Sequence, residues 1–246
     1  MFTPEDREHI RTTIIDRARL DARITGGAIT GSSSIGNEDV WSDVDLAFGV
    51  RDASDMHPVL DGFTTFMYDE HGCVDHVDVP SRAWIYRVFL LRNTLQVDIA
   101  VAPAPDFGAR QSTFRLVFGT SATLPYVPLP EAHELIAYAW LYALHVRSSI
   151  KRKRFWQAEY MLSEMRGRVL ALACLRLGLP AREGRGTDQL PREVTAPLED
   201  ALVGRLSATD LSRAFAVTSD ALLRETDLHD TALAERIDPV VRELAT

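Results

Sequence analysis

The chain has two cysteines among its 246 residues, Cys73 and Cys174, and they stand a hundred positions apart. So few thiols exclude a disulfide framework and are those of a protein kept reduced, with both sulfurs buried and free, in a cytoplasm. Long apolar runs are missing as well: nothing approaches the roughly 18 uninterrupted apolar residues of a membrane span. The N-terminus, Met-Phe-Thr-Pro-Glu-Asp-Arg-Glu, brings acids early and lacks the apolar stretch of a secretory signal. Basic excess is absent too. The 27 Lys and Arg against 35 Asp and Glu leave a formal charge of −8. That balance excludes a protein that wraps a long nucleic acid, because such affinity comes from neutralised phosphates. It favours solubility and mildly attracts a small cationic molecule. The expectation is a cytoplasmic monomer or homodimer without membrane or long nucleic-acid partners.

What is present is a change of texture along the chain. Pro4 follows Thr3 in the manner of an N-capped first turn, and Ile10, Ile14, Ile15, Ala18 and Leu20 continue at roughly helical spacing to about residue 22. Strands are expected at 24–29, 44–50, 74–79, 84–91 and 95–101, with a helix at 54–70 and one further extended piece at 114–118. That is an α/β unit of about five strands. Three prolines between Pro125 and Pro130 make a stiff connector. Beyond it every signal is helical: 131–150, 154–177, 195–204, 207–225 and 228–244, with Ser207 and Asp227 as N-caps and a breaker-rich loop at 181–192. Two domains follow from this, an α/β (α+β) domain over 1–124, its mixed sheet flanked by helices, and an all-α helical bundle over 131–246.

The chemistry concentrates in residues 31–45, Gly-Ser-Ser-Ser-Ile-Gly-Asn-Glu-Asp-Val-Trp-Ser-Asp-Val-Asp. Small residues let a backbone approach phosphate, and backbone N–H groups at Gly31 and Ser32, near a helix start, suit the outer phosphates of a nucleotide. Strand alternation puts Asp43 and Asp45 on one face while Val44, Leu46 and Phe48 turn to the core. The same alternation in Leu95, Val97, Ile99 and Val101 leaves Asp98 on the polar face of its strand. If the two strands are neighbours, three carboxylates converge, each resists ionisation, and a divalent cation resolves that conflict. Oxygen-only ligands favour Mg²⁺ or Mn²⁺ over zinc. Taken singly, these residues serve phosphoryl and nucleotidyl transfer alike.

Gly31-Ser32, Gly36, Ser42-Asp43 and Asp45-Leu46 resemble the glycine-serine…Asp-x-Asp signature of the DNA polymerase β-like nucleotidyltransferase superfamily. Within it, the layout is similar to bacterial aminoglycoside and lincosamide nucleotidyltransferases, enzymes of antibiotic resistance. The resemblance covers about residues 24–101 in motif and the helical part in layout only. It implies a mixed sheet, two Mg²⁺ ions, ATP or another NTP as co-substrate, and transfer of a nucleoside monophosphate to a small-molecule hydroxyl with release of pyrophosphate. It assigns metal binding to Asp43, Asp45 and Asp98, nucleotide binding to Gly31, Ser32 and Ser42, and the base for the acceptor hydroxyl to a carboxylate of the helical part. Glu159 is the choice by position, with Glu134 and Glu164 as rivals and Arg166 as its partner or a phosphate ligand.

The chain departs from the pattern at Ile35, where many relatives carry arginine before the second glycine. The missing charge has a candidate source in Arg147, Lys151, Arg152, Lys153 and Arg154, a run that is equally a solvated helix end. Gly184-Arg185-Gly186 with Asp188 reads as an anion-binding loop or a plain turn, and His71, Cys73, His76 and Asp78 lack the spacing of a zinc site. Two other functions share the motif: modification of a protein or RNA partner, as in antitoxin-like nucleotidyltransferases, and non-catalytic nucleotide binding.

Overall fold

The computed structural model describes residues 1–246, and Cα proximity divides them into two compact units, Met1–Val127 and Pro128–Thr246. In the first unit, helix α1 (Pro4–Leu20) opens on a capping box: Thr3 accepts from the Asp6 amide while the Asp6 carboxylate accepts from the Thr3 amide. Strands β1 (Ile24–Thr30) and β2 (Val44–Val50) are joined through a 3₁₀ turn at Ser32–Ile35. Helix α2 (Met56–Glu70) follows, then β3 (Cys73–Ser81), β4 (Trp84–Leu91), β5 (Gln96–Pro103) and β6 (Phe114–Gly119).

The six strands form one mixed sheet in the order β3-β4-β5-β2-β1-β6. Only β2 and β5 run parallel; every other pairing is antiparallel. A parallel pair needs a crossover, which here is α2 with the β3–β4 hairpin. One sheet face carries Val44, Leu46, Phe48, Val97, Ile99 and Val101, all buried against Ile10 and Ile14 of α1 and Phe63 and Met67 of α2. The other face is built of small residues where it is closed: Ala28, Ala47, Ala100 and Ala102 pack under Trp84 and Phe107. Gly26 and Gly49 lie directly beneath the Phe107 ring, which a Cβ at either position would meet at 2.8 or 2.7 Å.

The second unit is helical: α3 (Ala132–Lys151), α4 (Phe155–Arg176), α5 (Arg192–Asp200), α6 (Ala208–His229) and α7 (Thr231–Leu244). Its core gathers Ile136, Ala139, Ala143, Leu162, Met165, Val169, Leu211, Phe215 and Leu222. Two expectations are corrected. The helix expected at 195–204 begins at Arg192 and ends at Asp200, because Pro191 supplies the extended residue before it and the chain leaves the helix at Ala201. Asp227 is not an N-cap. Buried Glu225 holds Arg176 through two hydrogen bonds of 2.9 Å, which keeps α6 helical past that point, and Asp230 caps α7 by accepting from the Leu233 amide. Ser207 caps α6 as expected. Both cysteines are free and buried, and no helix is long and apolar enough to cross a membrane.

The β3–β4 hairpin is fastened to α2 by Arg87, whose side chain is only 7% exposed and whose fork donates to both carboxylate oxygens of Asp78 at 2.6 and 2.7 Å, and to Asp61 at 3.0 Å. These hydrogen bonds hold the Asp78 carboxyl below the usual carboxylate range, against an opposing effect of partial burial. A depressed folded-state pKa contributes stability above the unfolded value of about 3.9 and loses it as the pH falls through the folded one. Asp78→Asn is therefore expected to lower the denaturation free energy at pH 7 by about 1–2 kcal/mol, the scale of charge-assisted bonds at a partly exposed carboxylate. In denaturant titrations the difference from the parent protein should shrink once the pH drops below about 4.

Candidate active site

Alternation fixes which side chains share the open part of the sheet. Val44 pairs with Val97 and Asp45 with Asp98 across the parallel strands, so each strand turns its valine to the core and its aspartate to the opposite face. Asp43, one residue before β2, joins the same side. One carboxylate oxygen from each of Asp43, Asp45 and Asp98 lies within 4.8 Å of the other two, and all three residues are half-buried. Burial pushes the Asp98 carboxyl above its usual range and the negative charge of Asp43 adds to that, while a 2.9 Å hydrogen bond from Gln96 opposes it. Such a group of acids in one spot is what oxygen-ligated divalent cations require.

Beside the acids the backbone turns through Gly31, with φ +62° and ψ −153°, a region essentially reserved for glycine. A Cβ here would stand 1.9 Å from Oδ2 of Asp45. The turn thus runs directly under that carboxylate, and the glycine answers both the torsion and the close approach. The 3₁₀ turn beyond is tied by the Ser34 hydroxyl to the Gly31 carbonyl at 2.7 Å and closed by Gly36 in left-handed conformation. Ser32 Oγ lies 3.4 Å from Ser42 Oγ. Ser42 itself closes a small turn, accepting from the Asp39 amide at 2.9 Å and donating to the Asp39 carboxylate at 3.2 Å. Ile35 is 53% exposed.

Two residues that sequence reasoning missed hold this loop in place. Arg7 and Arg11 are buried on α1. Arg7 donates to the carbonyls of Asp39 and Ser42 at 2.6 and 3.0 Å and pairs with Glu38, which Arg11 also binds. Their signal was available: they fall at i and i+4 on the same helix stripe as Ile10, Ile14 and Ala18, where a charged side chain needs a buried partner.

No protein-family model matches the chain, and no curated protein is similar to it. Among solved structures, the crystal structure of an aminoglycoside 6-adenyltransferase from Bacillus subtilis is similar to it. The two are 13% identical, with a TM-score of 0.39, over 97% of this chain and 98% of that one.

Of the residues singled out in the sequence, Asp43, Asp45, Asp98, Gly31, Ser32 and Ser42 gather in the first unit. Glu159 belongs to α4 of the helical unit, where one carboxylate oxygen faces Arg166 at 3.8 Å and the other is buried without a hydrogen-bond partner. Glu164 pairs with Arg168 on the same helix, and Glu134 sits in the first turn of α3. Arg147 and Lys151 lie in the final turns of α3, and Arg152, Lys153 and Arg154 form the exposed link to α4. His71, Cys73, His76 and Asp78 do not form a cluster: Cys73 donates to the Asp75 carbonyl, His76 meets Tyr68, and Asp78 serves Arg87.

Gly31→Ala should displace the Asp45 carboxylate. Titration with Mn²⁺ followed by electron paramagnetic resonance is expected to show affinity reduced by about tenfold or more, equivalent to ~1.4 kcal/mol. Affinity equal to that of the parent protein would show that Asp45 does not depend on the glycine.

Proposed function

We propose that the chain is a Mg²⁺-dependent nucleotidyltransferase that moves a nucleoside monophosphate, AMP from ATP as the first choice, onto a hydroxyl of a small molecule. The observation that carries this reading is the convergence of Asp43, Asp45 and Asp98 beside the Gly31 turn. The donor set is all oxygen and half-buried, and three carboxylates this close favour a divalent cation, which fits Mg²⁺ or Mn²⁺. Divalent cations bound there supply charge neutralisation for a triphosphate and acidify an acceptor hydroxyl. In this reading Asp43, Asp45 and Asp98 hold the cations, and backbone amides at Gly31 and Ser32 bind the outer phosphates. Arg7 acts at one remove, fixing the loop that delivers Asp43.

The bond that forms joins the acceptor oxygen to the α-phosphorus. The bond that breaks joins that phosphorus to the oxygen bridging to the β-phosphate, and pyrophosphate departs with its electron pair. The hydroxyl proton passes to a carboxylate base, the role proposed for Glu159. Aminoglycoside-like and lincosamide-like compounds are the first acceptors to test. Ser42 supports the loop through Asp39 and, in this reading, helps shape the nucleotide site rather than touching the nucleotide through its hydroxyl.

Pyrophosphate release from ATP and the other NTPs, measured with Mg²⁺ across a panel of hydroxylated small molecules, tests the proposal. Turnover is expected with at least one pair and should fall by about 10²–10³-fold in Asp45→Asn, the scale of losing a preorganised electrostatic contact. Unchanged turnover in that variant would reject the reading. Glu159→Gln is expected to lower kcat by about 10²-fold or more while leaving the KM for ATP unchanged, as removal of a general base does. A kcat equal to the parent's would take the role from Glu159.

A further inference from the structure

The face of the sheet that carries the three acids continues, away from the Gly31 turn, onto β4 and the edge strand β3. Three rungs cross it. Asp75, Leu90 and Gln96 make the first, Val77, Val88, Asp98 and Asp45 the second, and Val79, Tyr86, Ala100 and Ala47 the third. Where such a face meets water the pattern should be polar, yet Val77, Val79 and Leu90 are 58, 49 and 51% exposed and Tyr86 and Val88 lie between them. The opposite side of the same hairpin is conventional, with Phe89 in the core and Arg87 paired. The outward strip is therefore a contiguous apolar surface that begins at the rung neighbour of Asp98. At about 4.8 Å per strand, it extends roughly 10 Å from that carboxylate to Val77.

Resting on the function proposed above, we infer that this strip is the acceptor floor, and that the acceptor is a neutral hydroxylated molecule with an apolar face. Direction decides which substrate lies there. The outer phosphates lie at the Gly31 turn, on the β1 side of Asp45, so the leaving pyrophosphate points toward β1. A nucleophile attacks in line from the opposite side, which is the side of Asp98, β4 and β3. Its reactive hydroxyl then sits over Asp98 while the body of the molecule covers Val88, Val77, Val79, Tyr86 and Leu90. Polar groups mark the rim, Gln96 and Asp75 at one end and Arg110, whose charge reaches the Tyr86 hydroxyl, at the other. This narrows the acceptors named above and sets aside aminoglycoside-like ones, because a polycation would strip water from its charges against five apolar side chains, which is costly. A second copy of the chain is disfavoured at this edge, because β3 presents Asp75 and Asp78 and carries Pro80 next to its last residue, devices that blunt strand-to-strand pairing.

The test compares the parent protein with V77T/V79T/L90T and with L90T alone; threonine is β-branched and strand-compatible. Calorimetry measures two ligands separately, Mg²⁺ with α,β-methylene-ATP, and 4-methylumbelliferyl β-D-glucoside with and without that pair, using free glucose as control. Saturable glucoside binding is expected in the parent protein. It should be weakened at least tenfold in the triple variant and less in L90T, with no glucose binding and with analogue affinity unchanged. Absence of glucoside binding to the parent, equal binding by the triple variant, parallel loss of analogue affinity, or a dimer that V77T/V79T/L90T dissolves would each overturn the inference. Failure of the parent to bind the Mg²⁺–analogue pair would strike the proposed function instead, and is read independently of the glucoside.

Discussion

The parallel pairing of β2 with β5 is the constraint from which the site follows. In the rest of the sheet neighbours run antiparallel; here two strands approach side by side with Asp45 opposite Asp98. Their flanking residues, Val44, Leu46, Val97 and Ile99, are fully withdrawn into the α1–α2 core, so neither strand can slip by one residue without placing an acid in that core. The hydrophobic pattern thereby enforces the electrostatic one. Burying these aliphatic side chains keeps the carboxylates of Asp45 and Asp98 side by side.

The support around this pair is divided between backbone and side chain. On one flank a glycine in a torsion range closed to other residues lets the chain pass beneath Asp45. On the other, two buried arginines of α1 anchor the loop before Asp43 through main-chain carbonyls and Glu38. The aromatic cover of Trp84 and Phe107 closes the far half of the same face over alanines and glycines. The acids consequently lie between the Gly31 turn on one side and an apolar strip on the other.

Most of the first unit was legible in the sequence because its strands alternate cleanly and its turn is spelled by glycine and serine. The alternation of Leu95, Val97, Ile99 and Val101 predicts the orientation of Asp98, and the strand registers agree with it. What could not be read was whether β2 and β5 are neighbours, since that depends on a crossover through α2 and a hairpin. The extended piece at 114–118 gave no hint that it forms a sixth strand beside β1. Arg7 and Arg11 escape a sequence reading because charged residues on a helix are ordinarily solvated; their partners in the loop lie more than 25 positions away. The helical unit was harder at its boundaries. Asp227 has the look of a cap, but the Arg176–Glu225 pair outweighs that local preference. The apolar strip of β3 and β4 escaped notice for a simpler reason: a short apolar run does not say which of its faces stays open.

The proposed function requires that Asp43, Asp45 and Asp98 bind divalent cations together. Crystals grown with Mn²⁺ and measured at a wavelength where manganese scatters anomalously test it without reference to any acceptor. Strong anomalous density is expected in contact with all three carboxylates, and is lost in crystals of Asp98→Asn. Ordered, unoccupied carboxylates in crystals whose Mn²⁺ density lies elsewhere would contradict it.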